Sequence, residues 1–104
     1  MNKYKIEITE TAEKDLFEIS SYIANELLEP NTAKKVLKKI AESIFQLEEI
    51  PLRNPLVKDE RLALQGIRKM LIDHFIVFYV VNEERKIVTI IRILYSKRNW
   101  HDLL

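Results

Sequence analysis

The sequence has no cysteine and, in 104 residues, one glycine and three prolines. The lack of cysteine excludes disulfide bonds, thiolate metal ligands and a cysteine nucleophile, and it is compatible with a reducing cytosol. With a single glycine, Gly66, the chain has no glycine-rich loop to cradle a phosphate. No apolar run approaches the length of a membrane span, and the opening MNKYKIEITE lacks the apolar segment of a signal peptide. We therefore expect a cytoplasmic protein without membrane contact.

An excess of charge of one sign is also missing. Seventeen basic and sixteen acidic residues give a formal net charge of +1. Bulk charge therefore predicts no strong affinity for nucleic acid, and such a role would need a local patch. Hydrophobic residues make up 47% of the chain and charged residues 32%, which is ordinary for a soluble globular protein. The length predicts one domain, residues 1–104, with a core of its own.

Known catalytic and metal-binding motifs are absent as well. The two histidines, His74 and His101, have no spaced carboxylates that would complete a tetrahedral or octahedral metal site. No serine or histidine lies in a recognised nucleophile motif. The sequence therefore predicts neither a metal ion nor a cofactor.

The C-terminal third of the chain is rich in β-forming residues. Runs of Val, Ile, Phe and Tyr occupy Ile67–Ile72, Phe75–Asn82 and Lys86–Ser96, with short polar turns between them. This composition and spacing predict three antiparallel strands in succession.

The alternation of side chains along these strands predicts two apolar faces. In the middle run, one face receives Phe75, Val77, Tyr79 and Val81, and the other Ile76, Phe78 and Val80. In the last run the same period groups Ile87, Thr89, Ile91, Ile93 and Tyr95, and it places Arg92 in the series Val88, Ile90, Leu94. We expect one face to be the core and the other to remain an apolar surface with a positive charge, open to a partner.

The first half of the chain predicts one strand and two helices. Tyr4–Ile8 alternates apolar and polar residues, and Thr9 has the character of an N-cap for a helix that runs to about Leu28. Asn31 is the expected cap of a second amphipathic helix, which ends before Pro51. The predicted fold is therefore α+β: an N-terminal strand and an α-helical hairpin packed on a four-stranded, mainly antiparallel sheet.

Two further features have no role in this fold. Four lysines, Lys34, Lys35, Lys38 and Lys39, lie on the outer side of the second helix; they could touch nucleic acid, but a solvated helix face is the simpler interpretation. The segment 51–65 shows no periodicity, and a loop of about 15 residues in a compact domain suggests a functional or mobile role.

A basic cluster near the C-terminus is the strongest candidate for chemistry. Cleavage of an RNA phosphodiester needs a base, cations that neutralise the phosphorane, and an acid for the leaving oxygen. Arg68 and Arg98 could hold the phosphate, Tyr95 or His101 could transfer protons, and bases could stack on Trp100. Structural roles also fit, because a tyrosine at a strand end and a tryptophan that anchors a tail are common.

Several segments in a fixed order resemble one family. The segments ITETAEKDLFEISSYI, LEEIP, GIRKMLIDHFIVFYVV and IVTIIRILYSKRNWHDLL together resemble the RelE/ParE superfamily of bacterial type II toxins, over essentially the full chain. The resemblance implies a toxin that arrests bacterial growth. It also implies a cognate antitoxin that neutralises the toxin in a hetero-oligomer.

The superfamily has two mechanisms. ParE-like members poison DNA gyrase, and the long helical hairpin and near-neutral charge of this chain resemble them. RelE-like members cut messenger RNA on the ribosome, and Tyr95 followed by the Lys97–Arg98 pair resembles them. We expect gyrase to be the target slightly ahead of the ribosome and its messenger RNA.

Site residues follow from the same resemblance. For a nuclease, the catalytic residues would be Arg68, Tyr95 and Arg98, with His101 as a further candidate. Partner binding is expected at three other residues, Arg92, Leu94 and Trp100. A non-toxic protein-interaction module is a third hypothesis, from a different functional class.

Overall fold

The computed structural model describes residues 3–104. Met1 and Asn2 lie outside the described residues, although they belong to the predicted domain 1–104 and to the opening segment MNKYKIEITE. The elements in chain order are β1 (Lys5–Ile8), α1 (Glu10–Ser21), α2 (Pro30–Phe45), α3 (Glu60–Leu64), β2 (Arg68–Ile72), β3 (Phe75–Asn82) and β4 (Ile87–Tyr95). A π-helical turn follows α1, and a 3-10 turn follows α2. The sheet order is β1-β4-β3-β2, with β1 parallel to β4 and the other pairs antiparallel. The predicted α+β fold is confirmed.

The ends of the helices differ in how they are capped. Thr9 caps α1 as predicted, because its Oγ1 accepts a hydrogen bond of 3.1 Å from the backbone N–H of Ala12. The predicted cap at Asn31 is wrong. Residue Glu29 occupies the cap position of α2, but its side chain accepts no bond from the helix backbone, and Pro30 is the first helical residue. Proline suits that position because its φ is already helical and its missing N–H needs no partner.

The sheet has a core on each of its faces. The helices cover one face, where the buried residues are Ala12, Ile40, Ile44, Leu47, Met70, Ile72, Val77, Tyr79, Val88, Ile90 and Ile93. On the other face the buried residues are Val57, Leu62, Ile67, Ile76, Phe78 and Leu94. The predicted division of β3 between two apolar faces is therefore confirmed.

A β-bulge in β4 changes the predicted faces of that strand. Tyr79 pairs with Ile90 and Phe78 pairs with Arg92, so Ile91 is an extra residue in β4. One extra residue exchanges the faces of all residues that follow it. Ile93 therefore joins Ile90 in the core under the helices, and Ile91 packs on the opposite face, which contradicts the predicted alternation.

The segment between α2 and β2 is bonded to the sheet. Tyr79 is fully buried, and its hydroxyl donates to the carbonyl of Pro51 (2.7 Å) and accepts from Asn54 Nδ2 (3.1 Å). Arg68 donates to the carbonyl of Asn54 at 2.7 Å. Helix α3 also lies within this segment, capped by Asp59. These bonds fix the segment 51–65 to the sheet, although its sequence shows no periodicity that predicts a structure.

Replacing Tyr79 with Phe is expected to lower the free energy of unfolding by about 1–3 kcal/mol at neutral pH, because the Pro51 carbonyl loses its donor. Burial raises the pKa of the Tyr79 hydroxyl. The neutral phenol is thus favoured in the folded state, so its contribution is complete below the unfolded pKa of about 10 and is lost as pH rises through the folded pKa. Urea unfolding from pH 7 to pH 11 measures both effects.

The exposed Tyr22 provides the control, since Tyr22→Phe removes a hydroxyl that bonds no described residue. We expect Tyr22→Phe to keep the alkaline loss of stability and Tyr79→Phe to reduce it. Equal pH profiles for the two variants would contradict the assignment to Tyr79.

Candidate functional site

The predicted open apolar face of the sheet does not exist in this structure. Side chains from α3 and the segment before it cover one part of this face, and the C-terminal tail covers another part through Trp100, Leu103 and Leu104. The ring of Trp100 packs on Phe78 with a centroid distance of 5.0 Å. The sequence prediction failed here because it treated both of these segments as outside the core.

An ion pair at the edge of β4 joins three parts of the fold. The Nε and Nη2 atoms of Arg92 donate to the two carboxylate oxygens of Asp15 in α1 at 2.8 and 2.9 Å. Asp15 also accepts from the backbone N–H of Ile93 at 2.9 Å, beyond the point where β1 ends. The Nη1 atom of Arg92 donates to the carbonyl of Leu103 at 3.0 Å. Helix, strand and tail are thus linked through one guanidinium group.

This ion pair is largely removed from solvent. The side chain of Asp15 is 7% exposed and that of Arg92 is 19% exposed. The hydrogen bonds that Arg92 donates to Asp15 raise the pKa of Arg92, since they favour the charged guanidinium. Arg92 therefore stays charged and bonded to the chain's own carboxylate.

The three predicted partner-binding residues all make intramolecular contacts. Arg92 bonds Asp15, Leu94 is 2% exposed, and Trp100 packs on Phe78. Their role in partner binding stays a prediction, and it would require the tail to leave its place.

A groove opens instead on the helical side of the sheet, between the α1–α2 hairpin and the end of β4. Its volume is about 810 Å³. We call it the hairpin groove, and its lining consists of Asp15, Glu18, Ile19, Tyr22, Ile23, Leu27, Glu29, Thr32, Val36, His74, Phe75, Ile93, Leu94, Tyr95 and Arg98. Most of these side chains are apolar. A pocket of this size and polarity is typical of a binding site.

The helical wall of the groove contains an irregular turn. After Ser21 the chain continues as the π-helical turn Tyr22–Glu26, although the sequence predicts a regular helix to about Leu28. Within this wall Tyr22 is 57% exposed and Leu27 is 49% exposed. Leu28, next to them, is exposed and has a φ of 56°, which is uncommon for leucine. Exposed apolar side chains on irregular backbone are typical of a surface that binds another molecule.

Charged groups lie at opposite walls of the groove. Glu18 and Glu29 belong to the helical wall, and Arg98 belongs to the wall formed by the end of the sheet, which also includes the His74 ring. The rings of His74 and Tyr95 are 6.5 Å apart. An elongated partner with an apolar side and charges at both margins fits this arrangement.

The structure does not bring the predicted catalytic trio together. Tyr95 and Arg98 both line the hairpin groove. Arg68 aligns with Tyr79, whereas Tyr95 aligns with Phe75, four residues away along β3. A rise of about 3.3 Å per residue and two strand spacings of about 4.8 Å place Arg68 roughly 16 Å from Tyr95. This distance is between backbone positions, and the catalytic role of these residues stays a prediction.

His101 belongs to the tail rather than to the groove. Its ring stacks on Trp100 at 4.1 Å, and its Nδ1 lies 3.4 Å from Asp59 Oδ2. The pKa of Asp59 is lowered chiefly by the hydrogen bond from the backbone N–H of Leu62, which favours the carboxylate. His101 thus connects the tail to the first turn of α3.

Residues 3–104 contain neither a metal-binding cluster nor a membrane-spanning helix. No three histidine, aspartate or glutamate side chains gather as a metal-binding group in this range. None of the helices in the same range is long and apolar enough to cross a membrane.

Comparison with protein-family models gives one match over nearly the whole chain. The model of the ParE toxin of type II toxin–antitoxin systems matches residues 6–100. The chain belongs to the ParE toxin family. This ParE-family protein is therefore a toxin of a type II toxin–antitoxin system, as its sequence segments suggest. No curated protein matches its sequence.

Solved structures with the same fold belong to both branches of the superfamily. A chain of the chromosomal ParDE system of Pseudomonas aeruginosa is similar to this ParE-family chain with a TM-score of 0.75 and 21% identity; the match covers 93% of this chain and 100% of that one. A chain of the RelBE2 complex of Mycobacterium tuberculosis matches with a TM-score of 0.68, 23% identity and coverages of 91% and 93%. A chain of the intact Escherichia coli RelBE complex matches with a TM-score of 0.64, 17% identity and coverages of 91% and 99%. At these identities the likeness establishes the fold alone.

Sequence reasoning missed two parts of the site in this ParE-family toxin. It included Asp15 only within the segment ITETAEKDLFEISSYI, although this residue is the buried partner of Arg92. It also assigned Tyr22 and Leu27 to a regular helix rather than to the wall of a groove. The sequence did contain a signal for a buried carboxylate. Asp15 lies within one helical turn of Ala12 and Leu16, on the apolar side of α1, and such a position buries the side chain.

Proposed function

We propose that this ParE-family toxin arrests bacterial growth by acting on DNA gyrase, and that a cognate antitoxin neutralises it by filling the hairpin groove. The observation that supports gyrase is that the Arg68 guanidinium donates to the carbonyl of Asn54, while the backbone positions of Arg68 and Tyr95 lie roughly 16 Å apart along the sheet. Phosphoryl chemistry needs its cations and proton donors around one phosphate. Poisoning of an enzyme by binding needs no such cluster.

Antitoxin binding to the groove is supported by its volume and lining. Apolar residues on both walls suit an amphipathic helix or an extended segment whose apolar side enters the groove. Glu18 and Arg98 at its two margins suit a partner with charges of both signs. The partner in this proposal is the antitoxin, and the complex is a toxin–antitoxin hetero-oligomer.

One observation favours a second candidate, ribosome-dependent cleavage of messenger RNA. Tyr95 and Arg98 line the same cavity, and His74 lies beside Tyr95, so a proton-transferring group and a cation are close together without Arg68. This site would use Tyr95 as the proton-transferring group and Arg98 as the phosphate-binding group.

Two assays with the purified chain separate the candidates. We expect covalent gyrase–DNA cleavage complexes to accumulate on supercoiled plasmid, and messenger RNA to stay intact on translating ribosomes. Codon-phased cuts in the messenger, without cleavage complexes, would instead establish the nuclease. Growth arrest on expression without antitoxin is expected in both cases, and harmless expression would favour the non-toxic interaction module.

Arg98→Ala tests the nuclease candidate directly. Among residues 3–104, the Arg98 side chain forms no ion pair, so this variant is expected to fold normally. If the chain acts on gyrase without phosphoryl chemistry, Arg98→Ala still arrests growth. Loss of toxicity in Arg98→Ala, with retention in the exposed control Arg85→Ala, would support a phosphate-binding role for Arg98 and count against our choice.

A further inference from the structure

One side of α2 concentrates positive charge at the surface. Lys34, Lys35, Lys38 and Lys39 are all exposed. They lie opposite the buried side of the helix. With 3.6 residues per turn, positions 34, 35, 38 and 39 fall on one side of α2, and the buried Ala33 and Ile40 fall on the other. None of the four lysines lines the hairpin groove.

Two of these four lysines have a carboxylate neighbour, and two have none within ion-pair distance in the described chain. Lys39 bonds Asp73 at 2.8 Å, and Lys38 approaches Glu42 at 3.9 Å. For Lys34 and Lys35, no carboxylate of the described chain lies within 4.0 Å. The whole chain has a net charge of +1, and the four lysines together carry more positive charge than that. All other residues taken together are therefore net negative. Positive charge is therefore a local property of this face.

We propose that the lysine face of α2 contacts the phosphate backbone of a nucleic acid in the target complex. The inference rests on the proposed function, since gyrase acts on DNA and the ribosome consists largely of RNA. The lysines span about 7.5 Å along the helix axis. Phosphates recur every ~3.4 Å along each strand of a duplex, so two or three contacts fit this length. Lysine binds phosphate as a mobile point charge, which anchors a protein without reading bases.

Charge-neutral variants test this surface. In Lys34→Gln/Lys35→Gln/Lys38→Gln three cations are removed, and Lys39 is kept because it bonds Asp73. The matched control, Lys14→Gln/Lys58→Gln/Arg85→Gln, removes three exposed cations from separate parts of the surface. Fluorescence anisotropy with duplex DNA and with single-stranded RNA, at several salt concentrations, measures the affinity of the purified chains.

We expect the lysine-face variant to bind at least about tenfold more weakly at low salt, and its salt slope to fall by about 2–3, while the control keeps the affinity of the unsubstituted chain. The DNA and RNA arms show which backbone is preferred. Equal losses in both variants would show a bulk-charge effect, and no binding by the unsubstituted chain would exclude the contact; either result overturns the proposal. Binding to polyglutamate but not to nucleic acid would assign the lysine face to an acidic protein partner, and this result would also overturn the proposal.

Failure of this proposal is distinguishable from failure of the proposed function. Growth arrest and gyrase cleavage complexes are measured without reference to free nucleic acid. If the chain poisons gyrase but the lysine-face variant binds DNA normally, the function stands and the surface assignment is wrong. If it binds DNA through this face yet leaves gyrase unaffected, the choice of gyrase is wrong and the surface assignment stands.

Discussion

Replacing Asp15 with Ala is expected to lower the free energy of unfolding by about 3–5 kcal/mol, which is the usual cost of removing one partner from a buried ion pair. The carboxylate accepts two hydrogen bonds from Arg92 and one from the backbone N–H of Ile93. Its removal leaves the Arg92 cation without a counter-ion and the Ile93 N–H without an acceptor, in a site that water reaches poorly. Urea unfolding, followed by Trp100 fluorescence and by circular dichroism, measures the loss.

Two comparisons make this prediction specific. Glu13→Ala removes an exposed carboxylate from the same helix and is expected to cost less than about 1 kcal/mol. Asp15→Ala/Arg92→Met removes both charges, so it is expected to be more stable than Asp15→Ala alone. A single Asp15→Ala variant within 1 kcal/mol of the unsubstituted chain would mean that the ion pair does not stabilise the fold.

Local sequence patterns predicted most of the backbone fold. Strand β3 has the predicted bounds Phe75–Asn82, and the predicted cap Thr9 begins α1. The first strand joins the sheet as its fourth member, as expected, and the structure places it beside β4. These features depend on residues that are close in sequence: alternation along one strand, a capping side chain three residues from its donor, and turns between successive strands.

Features that depend on distant contacts were not predictable in the same way. The bulge at Ile91 leaves no local signal, because the run from Ile90 to Leu94 is apolar in either register, with Arg92 as its one interruption. Asp15 and Arg92 are separated by 77 positions in the sequence. A polar residue in an apolar stripe shows that a partner is needed, but it does not identify that partner.

The position of the binding surface follows from these distant contacts. The sequence predicted a partner on the face of the sheet opposite the helices, yet α3 and the tail cover that face. Arg92 holds part of this cover in place through the carbonyl of Leu103. The exposed apolar residues Tyr22 and Leu27 lie on the helical side of the sheet, in the groove between the α1–α2 hairpin and the end of β4. The hairpin groove is therefore a concave apolar surface that stays open to a partner.

Replacing Tyr22 and Leu27 with Ala is expected to weaken antitoxin binding by at least about 100-fold. Both side chains line the groove and are about half exposed, so a partner that fills the groove would bury them. Central apolar and aromatic residues of an interface typically cost 2 kcal/mol or more each when truncated, and 1.4 kcal/mol corresponds to a factor of ten. Isothermal titration calorimetry with the antitoxin encoded beside the toxin measures the change.

Phe17 is the matched control, because it lies on α1, is 72% exposed and does not line the groove. Phe17→Ala removes a comparable exposed apolar area, so it is expected to bind antitoxin as the unsubstituted chain does and to be neutralised on co-expression. Tyr22→Ala/Leu27→Ala is expected to remain toxic in the presence of antitoxin. Both side chains are about half exposed in the free protein, so their truncation is expected to leave the fold intact. Normal neutralisation of this double variant would place the antitoxin elsewhere. In that case the cover formed by Trp100 and Leu103 over the opposite face would have to open to admit it.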